Sequence, residues 1–448
     1  MSIVLKATSE VLPGEQKKGD TDGMRIKIGF SKMDITPPIG TQLSGYAGYR
    51  PNSGVHDPLY CKAVVWEQEK VRFALVALDL LSVDEAFYLH IAEKIADLGI
   101  EKQRVIVSAI HSHAAPWGVI PGEGPLAKIN SCDDPKDPAF KTYLQSVEEA
   151  AATACTRAVE GLESFEVRAA KGTLPQVGSE RHTGAAPKGE LTVIQCKTEN
   201  GKLLTVYNFP CHPTVLSAAN LQVSADFVAG IEGLLESDMA VFMNSAAGDI
   251  STRFTRRESS FEECERMGHI AAKQIQNVID TVPFRKPDPI YGIHTKITLQ
   301  ARQVETPEAA QKQYEELTSQ WKEAEEKGED PATIRILKSY VEGAGVNLQF
   351  AKTMEGLQKL HLPVTVFHFC GMDFATIPGE IFSTLKPEDL SIISYANGYY
   401  RYVCSEDAYV ENYYEALAAI IAQGEGEHLM RKIEELRQQL KGKYGLEV

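Results

Sequence analysis

Arg104-Val-Ile-Val-Ser-Ala-Ile110 runs straight into His111-Ser-His113 and then into the loop Ala114-Ala-Pro-Trp-Gly118. The first stretch is apolar, β-branched and short, the composition of a buried strand. Two imidazoles two residues apart at a strand end lie on one face, so both can enter one pocket. In an α/β enzyme that placement suits a metal site or an acid/base site. Taken alone, the same pair also reads as two surface loop histidines.

The surrounding sequence sets this strand in an α/β pattern. Met24–Phe30 alternates as a strand, and Asp34-Ile-Thr-Pro-Pro38 makes a stiff turn because two prolines exclude helix and central strand. Strands are predicted at Cys61–Trp66 and Arg72–Leu78, and a helix over Asp84–Leu98 with Phe87, Ile91, Ile95 and Leu98 on one face. Strand, helix, strand in succession predicts a sheet that is parallel in part. A helix is expected over about 138–161, after an irregular stretch at 115–137. Leu191–Cys196 and Leu203–Phe209 flank Glu199-Asn-Gly201, a hairpin signal. Ala240–Met243 reads as a strand and about 259–281 as a helix; strands return at Leu362–Phe369 and Met372–Ile377, and an amphipathic helix starts at His428.

The domain reading is a flexible lead-in over residues 1–23 and a single catalytic domain over 24–448. Residues 305–360, rich in Glu, Lys, Gln and Ala with a break near Gly328–Pro331, form a helical insertion. It serves either as a solvated appendage or as a lid or homo-oligomer contact.

Bulk composition narrows the function. The chain has 448 residues, 43% hydrophobic and 24% charged, with a net charge of −15. That balance argues against nucleic acid and against simple docking on anionic lipid. No apolar run is long enough for an integral membrane segment. No signal peptide is recognised at the N-terminus. The eight cysteines, at 61, 132, 155, 196, 211, 264, 370 and 404, include no CxxC and read as reduced, packed thiols. A cytoplasmic location is expected.

Three further apolar segments end in metal-competent residues: His212 after Leu203–Phe209, Asp249 and Ser251 after Ala240–Met243, and Glu380 after Met372–Ile377. Two histidines and a carboxylate are a usual protein ligand set for catalytic zinc, with one position left open. Asp249 is read as orienting its turn, and Asp79 stays outside the core set.

These segments carry a resemblance. Gly29-Phe-Ser-Lys-Met-Asp-Ile-Thr-Pro-Pro38, Gly45-Tyr46 with Val55-His-Asp-Pro-Leu59, His111-Ser-His-Ala-Ala-Pro116, Phe209-Pro-Cys-His-Pro-Thr214 with Ser224-Ala-Asp226, Asn244-Ser-Ala-Ala-Gly-Asp-Ile-Ser251, Ile377-Pro-Gly-Glu380, and Ser405-Glu-Asp-Ala-Tyr409 with Asn412-Tyr-Tyr-Glu415 occur in this order. Together they resemble the motifs of the neutral/alkaline non-lysosomal ceramidases. The resemblance implies one zinc ion (Zn2+) held by His111, His212, Glu380 and Tyr414. Tyr414 is chosen over Tyr413 because its step from Tyr409 matches the family's spacing. It implies His113 beside the metal, Arg181 facing the substrate head, and Ser251 as nucleophile or active-site hydroxyl.

The implied reaction is hydrolysis of a linear amide, an N-acyl sphingoid base or a related N-acyl amide. Attack comes either from a water activated at the metal, with His113 as proton shuttle, or from Ser251. A metal hydrolase of the same fold acting on another small amide or ester is the alternative, and a non-catalytic oligomeric binding protein the second. Phosphate-ester hydrolysis would need more carboxylates. The chain departs from the family at Ser251-Thr-Arg253, Glu180-Arg181 and Trp117, and shows neither the family's C-terminal immunoglobulin-like domain nor its export signal.

Overall fold

Alternating apolar residues on the strands face two different layers, and the fold follows from satisfying both. The computed structural model describes residues 10–11, 25–124, 126–130, 139–187 and 190–446. Apart from Glu10–Val11, the expected lead-in over residues 1–23 lies outside the described residues, as do Cys132 and 131–138 of the irregular stretch.

The larger sheet contains β1 (Ile26–Asp34), β2 (Tyr60–Gln68), β3 (Val71–Leu78), β4 (Val105–Ala109), β5 (Glu163–Thr173), β6 (Glu190–Thr198), β7 (Leu203–Phe209) and β8 (Met239–Asn244). Its hydrogen-bonded order is β8-β7-β6-β5-β1-β2-β3-β4. The β3/β4 and β7/β8 pairs are parallel, and the other pairs antiparallel. The mixed α/β fold expected from the sequence is therefore present, with β3/β4 as its predicted parallel unit.

A second sheet was not foreseen. It consists of β9 (Tyr291–Gln300), β10 (Lys359–Phe369), β11 (Met372–Thr376) and β12 (Leu390–Ile393), with Glu10–Val11 paired to the β9 edge. On β2 and β3, Ala63, Val65, Ala74 and Val76 belong to one core with the helix layer of α1 (Glu85–Lys94), α2 (Ala139–Glu160) and α3 (Phe261–Ile279). Their neighbours Val64, Leu75 and Ala77 face the other way and meet Phe369, Phe374 and Ile393 of the second sheet. That sheet's far face, with Leu362, Val364 and Val366, takes Leu429 and Ile433. The result is four layers, helix–sheet–sheet–helix. Each fully buried Val, Leu or Phe stabilises it by roughly 1.5–3 kcal/mol.

The helix ends follow capping chemistry. Asp84 accepts the Phe87 N–H at 2.7 Å, and Ser260 accepts the Glu263 N–H at 3.2 Å. The insertion folds as a helical hairpin, α4 (Pro307–Lys327) and α5 (Pro331–Thr353). Thr306 and Pro307 start α4, and Gly328, at φ +66°, ends it. The second helix of the hairpin seats on the body: a Cβ on Gly343 would lie 2.8 Å from Leu417. The last helix, α6, spans Glu425–Tyr444.

Although β4 and β8 are opposite edges in the ladder, they meet at their C-terminal ends. The Asn244 amide donates to Ile110 O at 3.1 Å and to Cys211 O at 2.9 Å, and accepts the Cys211 N–H at 3.3 Å. Residues 395–397 cover the remaining edge of β4. Ala109 N–H donates to Tyr395 O, and the Asn397 side chain takes the Val107 N–H at 2.7 Å and gives to Val105 O at 2.9 Å.

Candidate metal centre

Strand ends from both sheets converge on one buried cluster. Past β4, His111 has φ +72°, a left-handed conformation uncommon for a residue with a side chain. Its N–H donates to Leu80 O, its Nδ1 sits 2.8 Å from Leu81 O, and its ring stacks on Tyr395 at 4.0 Å. Past β7, the backbone N–H and the Nδ1 of His212 both lie 3.0 Å from Ile250 O. A carbonyl only accepts, so each Nδ1 carries the hydrogen and each Nε2 is left facing inward. Glu380, past β11, receives both: its Oε2 lies 3.4 Å from His111 Nε2 and 3.0 Å from His212 Nε2. His113 Nε2 is 3.3 Å from His111 Nε2. The ligand atoms of His111, His113 and His212 all lie within 4.8 Å of one another.

The electrostatics call for positive charge at the centre. Burial, together with the neighbouring imidazoles, pushes His113 well below the ordinary histidine value. Burial and the nearby Arg181 guanidinium push His212 down to about 4. Burial works against ionising Glu380, but His111 and His212 outweigh it and hold the carboxyl well below its usual range. Inward-facing nitrogens around a carboxylate are stable only with a proton or a cation between them. His113 Nδ1 is buried without a hydrogen-bond partner. The donor set of imidazole nitrogens and one carboxylate suits a borderline-soft divalent cation.

Glycines bring the motifs this close. A Cβ on Gly248 would sit 2.5 Å from Glu380 O, and one on Gly379 would sit 2.5 Å from Arg401 O. The Asn244–Ser251 and Ile377–Glu380 segments therefore pack backbone to backbone, and Gly248 N–H donates to Ile381 O at 2.8 Å. Gly45, at φ +94°, lets the main chain pass over the His113 ring, which a Cβ would meet at 2.5 Å. Asp226 of the Ser224-Ala-Asp226 motif holds the loop after His212 by accepting the Val215 and Leu216 N–H groups.

The other residues expected at the site fall around this cluster. Ser251 is buried and bridged to His212 through the backbone, and its Oγ accepts the Arg253 N–H at 3.4 Å. Arg181 lies one layer out, with its guanidinium on Gly248 O, on the Tyr402 hydroxyl at 3.4 Å and on Glu415 at 3.1 Å. Tyr414 stands edge-on to Tyr402 at 6.2 Å. Tyr414 is 37% exposed as a residue, but its hydroxyl end is desolvated, and this with the Glu380 charge pushes the phenol up to about 12. Asp79 is elsewhere, paired with the buried Lys62 at 3.0 Å. Asp249 orients its turn, accepting Ser383 N–H and Oγ–H.

Three tyrosines at the cluster were not read from the sequence. Tyr395 stacks on His111, and Tyr399 donates to Glu380 Oε1 at 2.5 Å. Tyr402 pairs with Glu380 in a parallel bridge, so its side chain leaves the backbone on the same face as the carboxylate. Trp117, a departure from the family motif, is buried, donates to Ser82 Oγ and packs edge-on against Tyr399.

Residues 26–359 match the family model described as "Neutral/alkaline non-lysosomal ceramidase, N-terminal". The chain belongs to this family. No curated protein matches it by sequence. Among solved structures, the ceramidase-family chain is similar to neutral ceramidase from Pseudomonas aeruginosa, with a TM-score of 0.69 and 14% identity over 94% of this chain and 75% of that one. A ceramidase complexed with C2 aligns with a TM-score of 0.69 and 14% identity over 95% of this chain and 77% of that one. At that identity, the two structures establish the shared fold alone. Among the described residues, no helix is long and apolar enough to cross a membrane.

Proposed function

We propose that this ceramidase-family chain is a zinc-dependent hydrolase of a linear amide, with an N-acyl sphingoid base or a related N-acyl amide as substrate. The observation that carries the reading is the pair of inward-facing Nε2 atoms, fixed by carbonyls at Nδ1, that close on one oxygen of a buried carboxylate. His111, His212 and Glu380 would hold the ion, with a phenol from Tyr414 or Tyr402 completing the set. A bound zinc ion supplies Lewis acidity to an amide carbonyl and lowers the pKa of water to ~7.

The protein's own residues do the rest. His113, kept neutral by burial and with its Nε2 facing the cluster, accepts a proton from the attacking hydroxyl and returns it to the departing amine nitrogen. Arg181, held by Glu415, presents a fixed positive charge towards the substrate's polar head. Ser251, one backbone bridge from His212, is the alternative nucleophile.

Chelation is expected to abolish hydrolysis of a short-chain ceramide, and stoichiometric zinc to restore it. Full activity in verified metal-free protein would overturn the reading. An acyl adduct seen by intact mass, and absent in Ser251→Ala, would assign attack to the serine. Undiminished turnover in Ser251→Ala would assign it to water. A panel of ceramides and short N-acyl amines fixes the substrate class.

A further inference from the structure

We propose that Tyr399 is a positioning residue that reserves one oxygen of Glu380, so that this carboxylate meets the cation through its other oxygen alone. The inference rests on the metal reading above and deepens it.

The two oxygens of Glu380 have separate partners. Oε2 faces the His111 and His212 Nε2 atoms, at 3.4 and 3.0 Å. Oε1 points away and accepts the Tyr399 hydroxyl at 2.5 Å. Tyr399 is buried, and a phenol hydroxyl beside a carboxylate oxygen that can only accept is the donor of that bond. Its ring is braced edge-on by Trp117 at 6.0 Å, itself anchored through Nε1 to Ser82. A carboxylate whose second oxygen is occupied by a short charge-assisted hydrogen bond cannot swing to chelate through both. It then fills one position rather than two, which leaves room for a substrate oxygen at the same ion. The bulky Trp117, which departs from the family motif, has its place as the wall behind this tyrosine.

The test compares wild type, Tyr399→Phe and Tyr400→Phe in the full chain. Tyr400 is the sequence neighbour whose hydroxyl instead meets Glu85 and His361 O. Zinc affinity is measured by competition with a chelator, and visible absorption is recorded on the cobalt(II)-loaded proteins. Tyr399→Phe is expected to weaken zinc by about 10-fold and to lower the cobalt band intensity as coordination number rises, while Tyr400→Phe matches wild type. Glu380→Gln combined with Tyr399→Phe should cost no more than Glu380→Gln alone, because the tyrosine acts through that carboxylate.

Unchanged zinc affinity and an unchanged cobalt spectrum in Tyr399→Phe would overturn the proposal and leave the metal reading standing. Additive losses in the double variant would do the same. Wild-type protein that takes up neither ion would overturn both.

Discussion

Asn244, the last residue of β8, holds the main chain of Ile110, at the end of β4, by a hydrogen bond of 3.1 Å. The same amide grips Cys211 on both its N–H and its carbonyl. One side chain thus joins the strand that delivers His111 to the strand that delivers His212. Asn244→Ala leaves three buried main-chain groups unpaired. It is expected to lower unfolding free energy by about 3 kcal/mol and to weaken zinc binding in the remaining folded protein. Urea unfolding and a zinc titration read the two effects. Wild-type zinc affinity in the variant would separate Asn244 from the spacing of the histidines.

Glu380→Gln keeps the shape of the side chain and replaces the negative charge with an amide. The two Nε2 atoms then meet an N–H donor in place of an anion. The zinc affinity of the variant is expected to fall by about 100-fold, so that zinc raises its melting temperature less than it raises that of wild type. Paired melting curves with and without zinc check this. A variant that binds zinc as wild type does would remove Glu380 from the ligand set.

The two candidate phenols are separable. Tyr402 lies in register with Glu380, and Tyr414 stands one ring behind it. Desolvation at the hydroxyl pushes both phenols up, with the Glu380 charge adding to it, so direct ligation requires a cation to draw off the proton. The register argument predicts that Tyr402→Phe weakens zinc more than Tyr414→Phe does. The opposite order would favour the ligand set implied by motif spacing.

Acid stability should depend on a cluster away from the candidate metal centre. Burial raises the Asp373 carboxyl, but hydrogen bonds from His368 at 2.6 Å and Arg437 at 2.6 Å outweigh it and hold it well below the usual carboxylate range. Lys441 adds a second cation beside Arg437, at 3.3 Å. A depressed carboxyl stabilises the fold above its unfolded pKa of about 3.9, and that stabilisation is lost as pH falls through the folded value. Asp373→Asn is expected to be less stable than wild type at pH 7. It should also show a shallower loss of stability below about pH 4, measured by urea unfolding across pH. Parallel acid limbs would remove Asp373 from the account.

His111, His212 and Glu380 were legible because each ends an apolar strand and sits in a motif of unusual composition. Their glycine and proline neighbours, such as Gly379, mark the close backbone approaches. The second sheet was legible only in β10 and β11. β9 buries Ile293, Ile297 and Leu299 between threonine, lysine and glutamine; β5 of the larger sheet escaped in the same way, with only Phe165 and Val167 as regularly spaced apolar anchors among charged residues. Half-covered strands of that kind give a weak period. Tyr402 and Tyr399 escaped for another reason. Their relation to Glu380 comes from a two-residue bridge and from a side-chain hydrogen bond between distant loops, and neither leaves a pattern in the linear order.

The grip of Asn397 on Val105 and Val107 has a consequence beyond the site. Its amide stands in for a missing neighbour strand, meeting one donor and one acceptor of β4 from within the same chain. A sheet margin satisfied in this way offers no template to a second molecule. The lip of the sheet beside the histidines is therefore guarded against intermolecular strand addition, the usual hazard of an open β margin.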